Sequence, residues 1–376
     1  MANYKVAILV ETSNAFSRGC IQGISQYIEE HGPWAIYYEE RSLDSPVPAW
    51  LPGWDGDGVI VRSMKSDTLQ CALKTRAKVV NMGIDHIPGI PEVFQDFHRN
   101  TEWIVKHFRE RFYTNYAYVG IQGKYYSDCG KEAFCELLHE YPVALLDLEQ
   151  EHLPHYGFGT NTQLDEWLQT LSRPCAIMAC YDLVGVYVIQ ACRRIGILVP
   201  DEIAIAGLND DDIQCRFSPV PLTSVHPDSV RCGYEGTKLL HQLMQGEKTS
   251  ETSLRIPSLY LVSRRSTDSC VVGDKIIQEA FKIIHRDACQ GLTISHIAKE
   301  LGVHRRTLER NFRKIFNRSI HDEIIRVQLN KAVHLLENTD LPIAVIARRV
   351  GFANGPYLNT LYRKYFHTTP RRKKHT

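Results

Sequence analysis

Apolar positions in the first two thirds of the chain come in short runs, and the stretches between the runs carry apolar residues at helical spacing. Residues 4–10 form one such run, which stops at Glu11-Thr12-Ser13-Asn14. Over 16–28 the set Cys20, Ile21, Ile24, Tyr27 and Ile28 then follows the helical period. The pattern predicts strand, polar loop, helix. It recurs, with strands expected over 34–38, 58–61, 77–82, 116–120, 176–179 and 203–206, and helices over 68–75, 103–112, 130–140 and 184–195. Strands this short and this uniformly apolar are buried on both faces, and their alternation with helices predicts parallel sheets in an α/β layer architecture. In such sheets ligands settle outside the carboxyl ends of the strands, where the polar loops lie.

The last hundred or so residues follow a different pattern, written twice. Ile294, Ile297, Ala298, Leu301, Gly302 and Val303 return about 49 residues later as Ile343, Ile346, Ala347, Val350, Gly351 and Phe352. Beyond the glycine the offset is about 50, so Leu308, Phe312, Arg313, Lys314 and Phe316 fall on Leu358, Tyr362, Arg363, Lys364 and Phe366. Helically spaced apolar residues, a turn centred on glycine, and a second apolar-periodic segment with a basic face describe a helix-turn-helix. The competing reading is a four-helix scaffold whose charges are merely solvated.

Charge favours the first reading. The net charge of +1 over 376 residues hides a partition: from residue 273 onward 20 Lys and Arg stand against 9 Asp and Glu, while the first 272 residues hold 24 against 34. An acidic body joined to a basic tail suggests that the tail meets phosphate and the body does something else. The 11 cysteines are scattered, with neither a Cys-x-x-Cys pair nor a zinc-finger histidine partner, and read as reduced thiols. The apolar run at 4–10 is too short for a signal peptide, and no stretch reaches the length of a membrane span, so a soluble, cytoplasmic protein is expected.

The strand-to-helix loops carry no phosphate loop, nucleophile elbow, His-Glu-x-x-His or Gly-x-Gly-x-x-Gly signature, and Gly56-Asp57-Gly58 precedes a strand as a tight turn. No catalytic residue, cofactor or metal is therefore expected. Asp, Asn, Ser and aromatic residues dominate these loops and suit a hydroxyl-rich ligand, because a carboxylate or amide takes two hydroxyls and a ring packs on a sugar face.

Several segments support a family resemblance. Ile203 to Asp210 with Pro221-Leu222-Thr223-Ser224-Val225, Asp55-Gly56-Asp57-Gly58-Val59-Ile60, Val199-Pro200-Asp201, the run from Gly233 to Leu240, and Leu261-Val262-Ser263-Arg264-Arg265-Ser266-Thr267 resemble the LacI-type periplasmic-binding-protein fold. The tail, down to Thr369-Pro370, resembles the AraC-type double helix-turn-helix. A LacI-like sensor placed before an AraC-type reader is similar to the xylose-regulator type of bacterial activators, as are Asp165-Glu166-Trp167-Leu168-Gln169-Thr170-Leu171 and Arg264 to Asp268. The resemblance implies a two-lobed sensor over 1–268, a link over 269–273 and an all-α AraC-type domain with two helix-turn-helix units over 274–376. It also implies a homodimer that binds double-stranded DNA, takes xylose or a related sugar, and engages RNA polymerase. Two positions depart from it: Asn209 stands where LacI-type members usually carry Asp, with the acid displaced to Asp210, and Asp128-Cys129-Gly130-Lys131 stands where an arginine is common.

Effector candidates are Ser13, Asn14 and Phe16 after the first strand, Asp96 near the crossing between lobes, Tyr126 and Asp128, Asp182, and Asn209 with Asp210. The resemblance places ligand contacts at Asp182, Asn209 and Asp210. For each short polar residue the competing reading is an N-cap, and for Phe16 a place in the core. In the tail, His304 opens the first recognition helix. The AraC-type pattern puts base contacts at Arg306, Glu309 and Arg310, whereas Arg305 and Arg313 suit phosphate anchoring. A salt bridge from Arg310 to Glu309 or Asp322 is the alternative. Asn354, Asn359 and Thr360 occupy the matching positions of the second copy, with Arg363 opposite Arg313 and Pro356 tolerable in a first helical turn. The run Arg371-Arg372-Lys373-Lys374 reads as a phosphate-seeking tail.

The function expected from this is a sugar-responsive transcription factor, an activator of pentose-use genes. The same architecture answering another sugar, or acting as a repressor, is the nearest alternative. A DNA-tethered sugar- or nucleotide-modifying enzyme and a constitutive architectural protein are the more distant rivals.

Overall fold

A computed structural model describes residues 3–42, 45–62, 66–83, 86–149, 161–247, 253–366 and 369–370. The chain starts with β1 (Lys5–Val10), α1 (Ala15–His31), β2 (Ala35–Tyr38), β3 (Gly58–Arg62), α2 (Ser66–Leu73), β4 (Lys78–Asn81) and β5 (Glu92–Gln95). It crosses to α3 (Phe97–Arg109), β6 (Tyr116–Ile121), α4 (Tyr125–Leu137), β7 (Val143–Leu148), α5 (Thr162–Thr170), β8 (Cys175–Ala179), α6 (Asp182–Arg194), β9 (Ile203–Leu208), α7 (Asp212–Phe217) and β10 (Thr223–His226). α8 (Ser229–Met244) and β11 (Ser253–Ile256) then return to the first lobe, and β12 (Tyr260–Val262) closes the second.

Two six-stranded sheets result, in the orders β11-β5-β4-β3-β1-β2 and β12-β10-β9-β8-β6-β7. Every pairing is parallel except β10 with β12. β6, β8 and β9 are buried at every position, as strands covered on both faces must be. In the first lobe α1 lies against α8 at backbone distance: a Cβ on Gly23 would stand 1.9 Å from the Val230 carbonyl oxygen, and one on Gly233 1.9 Å from that of Cys20. Only glycine permits that approach.

The remaining helices are α9 (Lys275–Asp287), α10 (Ile294–Glu300), α11 (Arg305–Phe316), α12 (Ile320–Asn338), α13 (Ile343–Arg349) and α14 (Gly355–Phe366). Ile297, Leu308, Phe312 and Phe316 fill one small core with α9, and Leu329, Ile346, Leu358 and Leu361 fill a second. α12 contributes Ile324 to the first and Ile325, Leu329, Ala332 and Leu336 to the second, so both units are mounted on one helix. A capping box starts it, Ser319 accepting from the Asp322 amide while Asp322 accepts from that of Ser319.

The segment 269–273, expected as a link, is packed at its start. Cys270 is buried in the first helical core, and the Val271 amide donates to the Arg111 carbonyl at 2.8 Å. Beside it Arg111 is buried and donates to the Thr267 carbonyl at 2.8 Å and to His107 Nδ1 at 3.1 Å. Burial pulls the Arg111 guanidinium down to about 10.

Several helices begin earlier than their periodicity suggests, α3 because a polar residue caps it outside the apolar pattern, α4 and α6 without a side-chain cap. α3 starts at Phe97, with Asp96 accepting from the Arg99 amide, and α4 starts at Tyr125. Tyr126, Asp128 and Asp182, expected in loops, consequently sit in the first turns of α4 and α6.

Candidate effector cleft and nucleic-acid interface

The carboxyl ends of the two sheets face each other, and each ends on polar residues. From the first lobe come Glu11 after β1, Arg62 at the end of β3 and Gln95 at the end of β5. All three are buried. Glu11 Oε1 accepts from Asn14 Nδ2 at 2.7 Å and from Ser17 Oγ at 2.9 Å, while its Oε2 is buried with no hydrogen-bond partner among the described residues. Arg62 Nε donates to Ser17 Oγ at 2.9 Å and its guanidinium lies 4.4 Å from the centre of the Phe16 ring. A lone buried acceptor costs about 1–3 kcal/mol unless a partner arrives, so Glu11 Oε2 marks a place for a donor.

The second lobe contributes the loop after β9. Asn209 and Asp210 both hold positive φ, at 95° and 45°, a conformation costly for side chains that is retained where a site demands it. Asp210 gives Oδ1 to Arg264 at 2.6 Å and Oδ2 to His226 at 2.9 Å. Asp182 accepts from Ser224 Oγ at 2.5 Å and from the Asp211 amide at 2.7 Å. Burial pushes the Asp182 carboxyl up to about 8. The lobes touch directly: Gln95 Nε2 donates to Asn209 Oδ1 at 2.9 Å, and the Ala15 amide donates to Asp211 Oδ2 at 3.1 Å. At the rim His86 stacks on Tyr125 of the other lobe, centroids 5.3 Å apart.

The effector candidates divide accordingly. Asn14 reaches the Glu11 cluster, although its Oδ1 also caps α1 through the Ser17 amide at 2.8 Å. Ser13 is exposed beside it. Asn209 meets the opposite lobe. Asp182 and Asp210 lie behind that loop with their oxygens engaged by protein partners, because burial leaves a carboxylate no alternative to such partners. Phe16 is 3% exposed in the first-lobe core with Arg62 on its face, so its ring serves the arginine. Asp96 acts as a cap, Asp128 pairs with Lys131 at 3.0 Å, and Tyr126 packs edge-on against Tyr181. Glu11, Ser17, Arg62, Gln95 and Asp211 escaped the sequence reading. For Glu11, Arg62 and Gln95 the signal is a charged or amide residue closing an otherwise apolar strand; Ser17, inside α1, and Asp211, the cap of α7, carry no such mark.

In the tail both helix-turn-helix glycines are left-handed, Gly302 at φ 64° and Gly351 at φ 89°. α11 buries Leu308, Phe312 and Phe316 and leaves Arg305, Arg306, Arg310, Arg313 and Lys314 exposed. Arg305 pairs with Glu309 at 3.2 Å, one turn along, so Glu309, an alternative partner for Arg310, is taken by Arg305. Arg310 is in no ion pair among the described residues. In the second unit Asn354 accepts from the Tyr357 amide at 2.9 Å, which makes it a helix cap with its oxygen already engaged. Thr360 Oγ1 donates to the Pro356 carbonyl at 3.0 Å, Asn359 is half-buried, and Arg363 is exposed. Between the units lies a groove of about 460 Å³ lined by Thr293, Arg305, His321, Gln328 and Tyr357 among others. The run 371–374 lies outside the described residues.

Comparison with known proteins covers both halves of the chain. A periplasmic binding protein-like domain matches residues 105–267, and a helix-turn-helix domain matches 297–375. The xylose operon regulatory protein of Haemophilus influenzae is 27% identical over 98% of this chain and 97% of its own length. That of Escherichia coli K12 is 26% identical over 98% and 96%. Among solved structures, the xylose-binding transcription activator xylR superposes with a TM-score of 0.64 at 25% identity, covering 99% of this chain and all of that one. A LacI-type regulator from Alkaliphilus metalliredigens complexed with D-xylulofuranose matches 71% of the chain at 16% identity and TM-score 0.57, a likeness of fold alone.

Proposed function

We propose that this protein, a DNA-binding regulator of the xylose-operon-regulator type with a periplasmic-binding-protein-like sensor, binds a pentose between its lobes and activates sugar-use genes in response. The observation that carries this reading is the whole-length match to xylose operon regulatory proteins, joined to this chain's own domain order, sensor first and reader last. The cleft chemistry supports it. Glu11, Asn14, Arg62, Gln95 and Asn209 offer carboxylate, amide and guanidinium groups at the carboxyl ends of the two sheets, the set that grips vicinal hydroxyls. Pentose enters by replacing the direct lobe-to-lobe bonds at Asn209 and Asp211 with bonds through its own hydroxyls. Asp182 and Asp210 hold the loop in its left-handed shape, and Asn209 is the contact.

On the DNA side Arg306, Glu309 and Arg310 read base edges, while Arg305, Arg313 and Arg363 anchor phosphates. We place the protein in the cytoplasm as a homodimer engaging RNA polymerase, and as a binder with no chemistry of its own. The boundaries we assign are a sensor over 1–268 and a reader over 274–376. Thermal shift and calorimetry with D-xylose, L-arabinose, D-ribose and D-glucose test the core of this. D-xylose should raise the melting temperature and Asn209→Ala should weaken its binding at least tenfold. If none of the four sugars shifts the melting temperature, the sensor reading fails.

A further inference from the structure

The cleft loop is joined to the reader by a continuous line of side chains. Asp211 bonds across the cleft to the Ala15 amide and also caps α7 through the Gln214 amide. The next residue, Asp212, opens that helix and accepts from Arg216 Nε at 2.6 Å. Arg216 then reaches out of the sensor, donating NH2 to His334 Nε2 on α12 at 3.1 Å. Behind them Arg264 bonds Asp210 at 2.6 Å and stands 3.8 Å from Asp212, so the loop and the helix share one cation.

The donor and acceptor senses match. Burial pulls His334 down to about 4, leaving a neutral ring whose Nε2 accepts the arginine proton at physiological pH. A second tie between the halves lies further up the same helix, where Arg326 meets Glu110 at 2.8 Å, just beyond the end of α3. Glu110 belongs to the second-lobe side of the crossing and does not touch the cleft loop. Of these two ties, the one at His334 leads to residues that bond across the cleft. Because α12 carries both helix-turn-helix cores, a tilt about Arg326 moves both readers together.

We propose that the Arg216–His334 contact is the positioning link through which cleft occupancy sets the reader, with α7 as the lever and the Glu110–Arg326 pair as its fixed point. The link rests on the pentose-sensor reading above. A ligand shifts an equilibrium only by its differential affinity for two states, and here the states differ in whether Asp211 is bonded to the other lobe or to sugar. Lobe movement displaces Asp211, Asp211 carries the start of a six-residue helix, and that helix hands the displacement to His334.

The test uses the full-length protein, D-xylose as the probe, and a DNA fragment selected by the wild type from a random pool. Calorimetry gives the D-xylose Kd, and DNA Kd is measured with and without D-xylose. Allosteric couplings commonly amount to about 5–150-fold. Arg216→Ala, at a largely exposed side chain, should leave the D-xylose Kd within about twofold while the DNA response collapses to within about twofold of none. His334→Leu should do the same, and His334→Gln, which keeps an acceptor, should restore most of the response. Full coupling in both Arg216→Ala and His334→Leu overturns the link and leaves the sensor reading standing. Loss of D-xylose binding in Arg216→Ala also overturns it, since the residue would then belong to the sugar site. A wild type whose DNA affinity ignores every pentose overturns the sensor reading and the link with it.

Discussion

On the first recognition helix, α11, the solvent side carries Arg305, Arg306, Arg310, Arg313 and Lys314; the matching stretch of α14 offers Asn354, Tyr357, Asn359 and Thr360 before it reaches Arg363 and Lys364. Beneath those faces the units are alike: Ile297 and Leu308 are as deeply buried in one as Ile346 and Leu358 are in the other, although Tyr362, the counterpart of the buried Phe312, is only half-buried. A duplicated scaffold therefore carries two unequal surfaces. The polar groups of the second are also engaged by their own helix, Asn354 as a cap and Thr360 through the Pro356 carbonyl, whereas Arg306 and Arg310 have no side-chain partner among the described residues. On the reading proposed above, both units contribute affinity and the first contributes most of the discrimination.

The comparison breaks first at its shared part. Leu308→Ala and Leu358→Ala should each destabilise the protein by about 2–5 kcal/mol, since both delete a buried side chain from a small core. Urea unfolding of the two variants measures this, and a cost well below that range in one of them would show that the units are not equivalent scaffolds. Next, Arg310→Ala should lose about 1–3 kcal/mol of DNA binding and relax preference at a single base pair. Thr360→Ala should change neither by more than about 0.5 kcal/mol, the range of ordinary surface substitutions. A base-substitution scan of the selected site decides between the two, and a preference altered by Thr360→Ala alone would make the second unit the dominant reader.

Asn354→Ala sharpens the contrast at the level of about 1 kcal/mol of stability, the usual value of an N-cap, and should leave base preference intact. Thermal melts and the same scan read both outcomes. The smallest effect is expected of Arg305→Ala. It should weaken all sequences alike and lower the slope of log affinity against log salt by about 1, the signature of a lost phosphate contact. Dependence of the Arg305→Ala penalty on base sequence would move that residue, with its partner Glu309, into base reading.

Much of the architecture follows from local pattern. Alternating apolar runs and helical spacing place β1, β3, β6, β8 and β9, because strands buried on both faces have to be apolar throughout. β5, β7, β10 and the short α7 have no such clear signature. Glu92 and Gln95 bracket two apolar residues in β5, and only pairing with β4 and β11 makes that tetrapeptide a strand. Loop residues were harder still. An Asp after a strand looks the same whether it faces a ligand, caps a helix or holds an arginine.

Two facts were settled by the linear order of residues alone: the reader is double, since a repeat with its glycines intact needs no contact map, and its first recognition helix is the richer in charge. What the tertiary structure decided is who partners whom across long separations. Asp182 and Asp210 are spent on Ser224, Asp211, Arg264 and His226, so the sugar-facing role we propose falls to Asn209 and to Glu11, Arg62 and Gln95 of the opposite lobe. Arg216 and His334 meet although 118 residues separate them. Secondary structure obeys short-range periodicity and steric preference, which a sequence displays openly. The pairing of buried charges obeys desolvation, which exists only once the chain has closed around them.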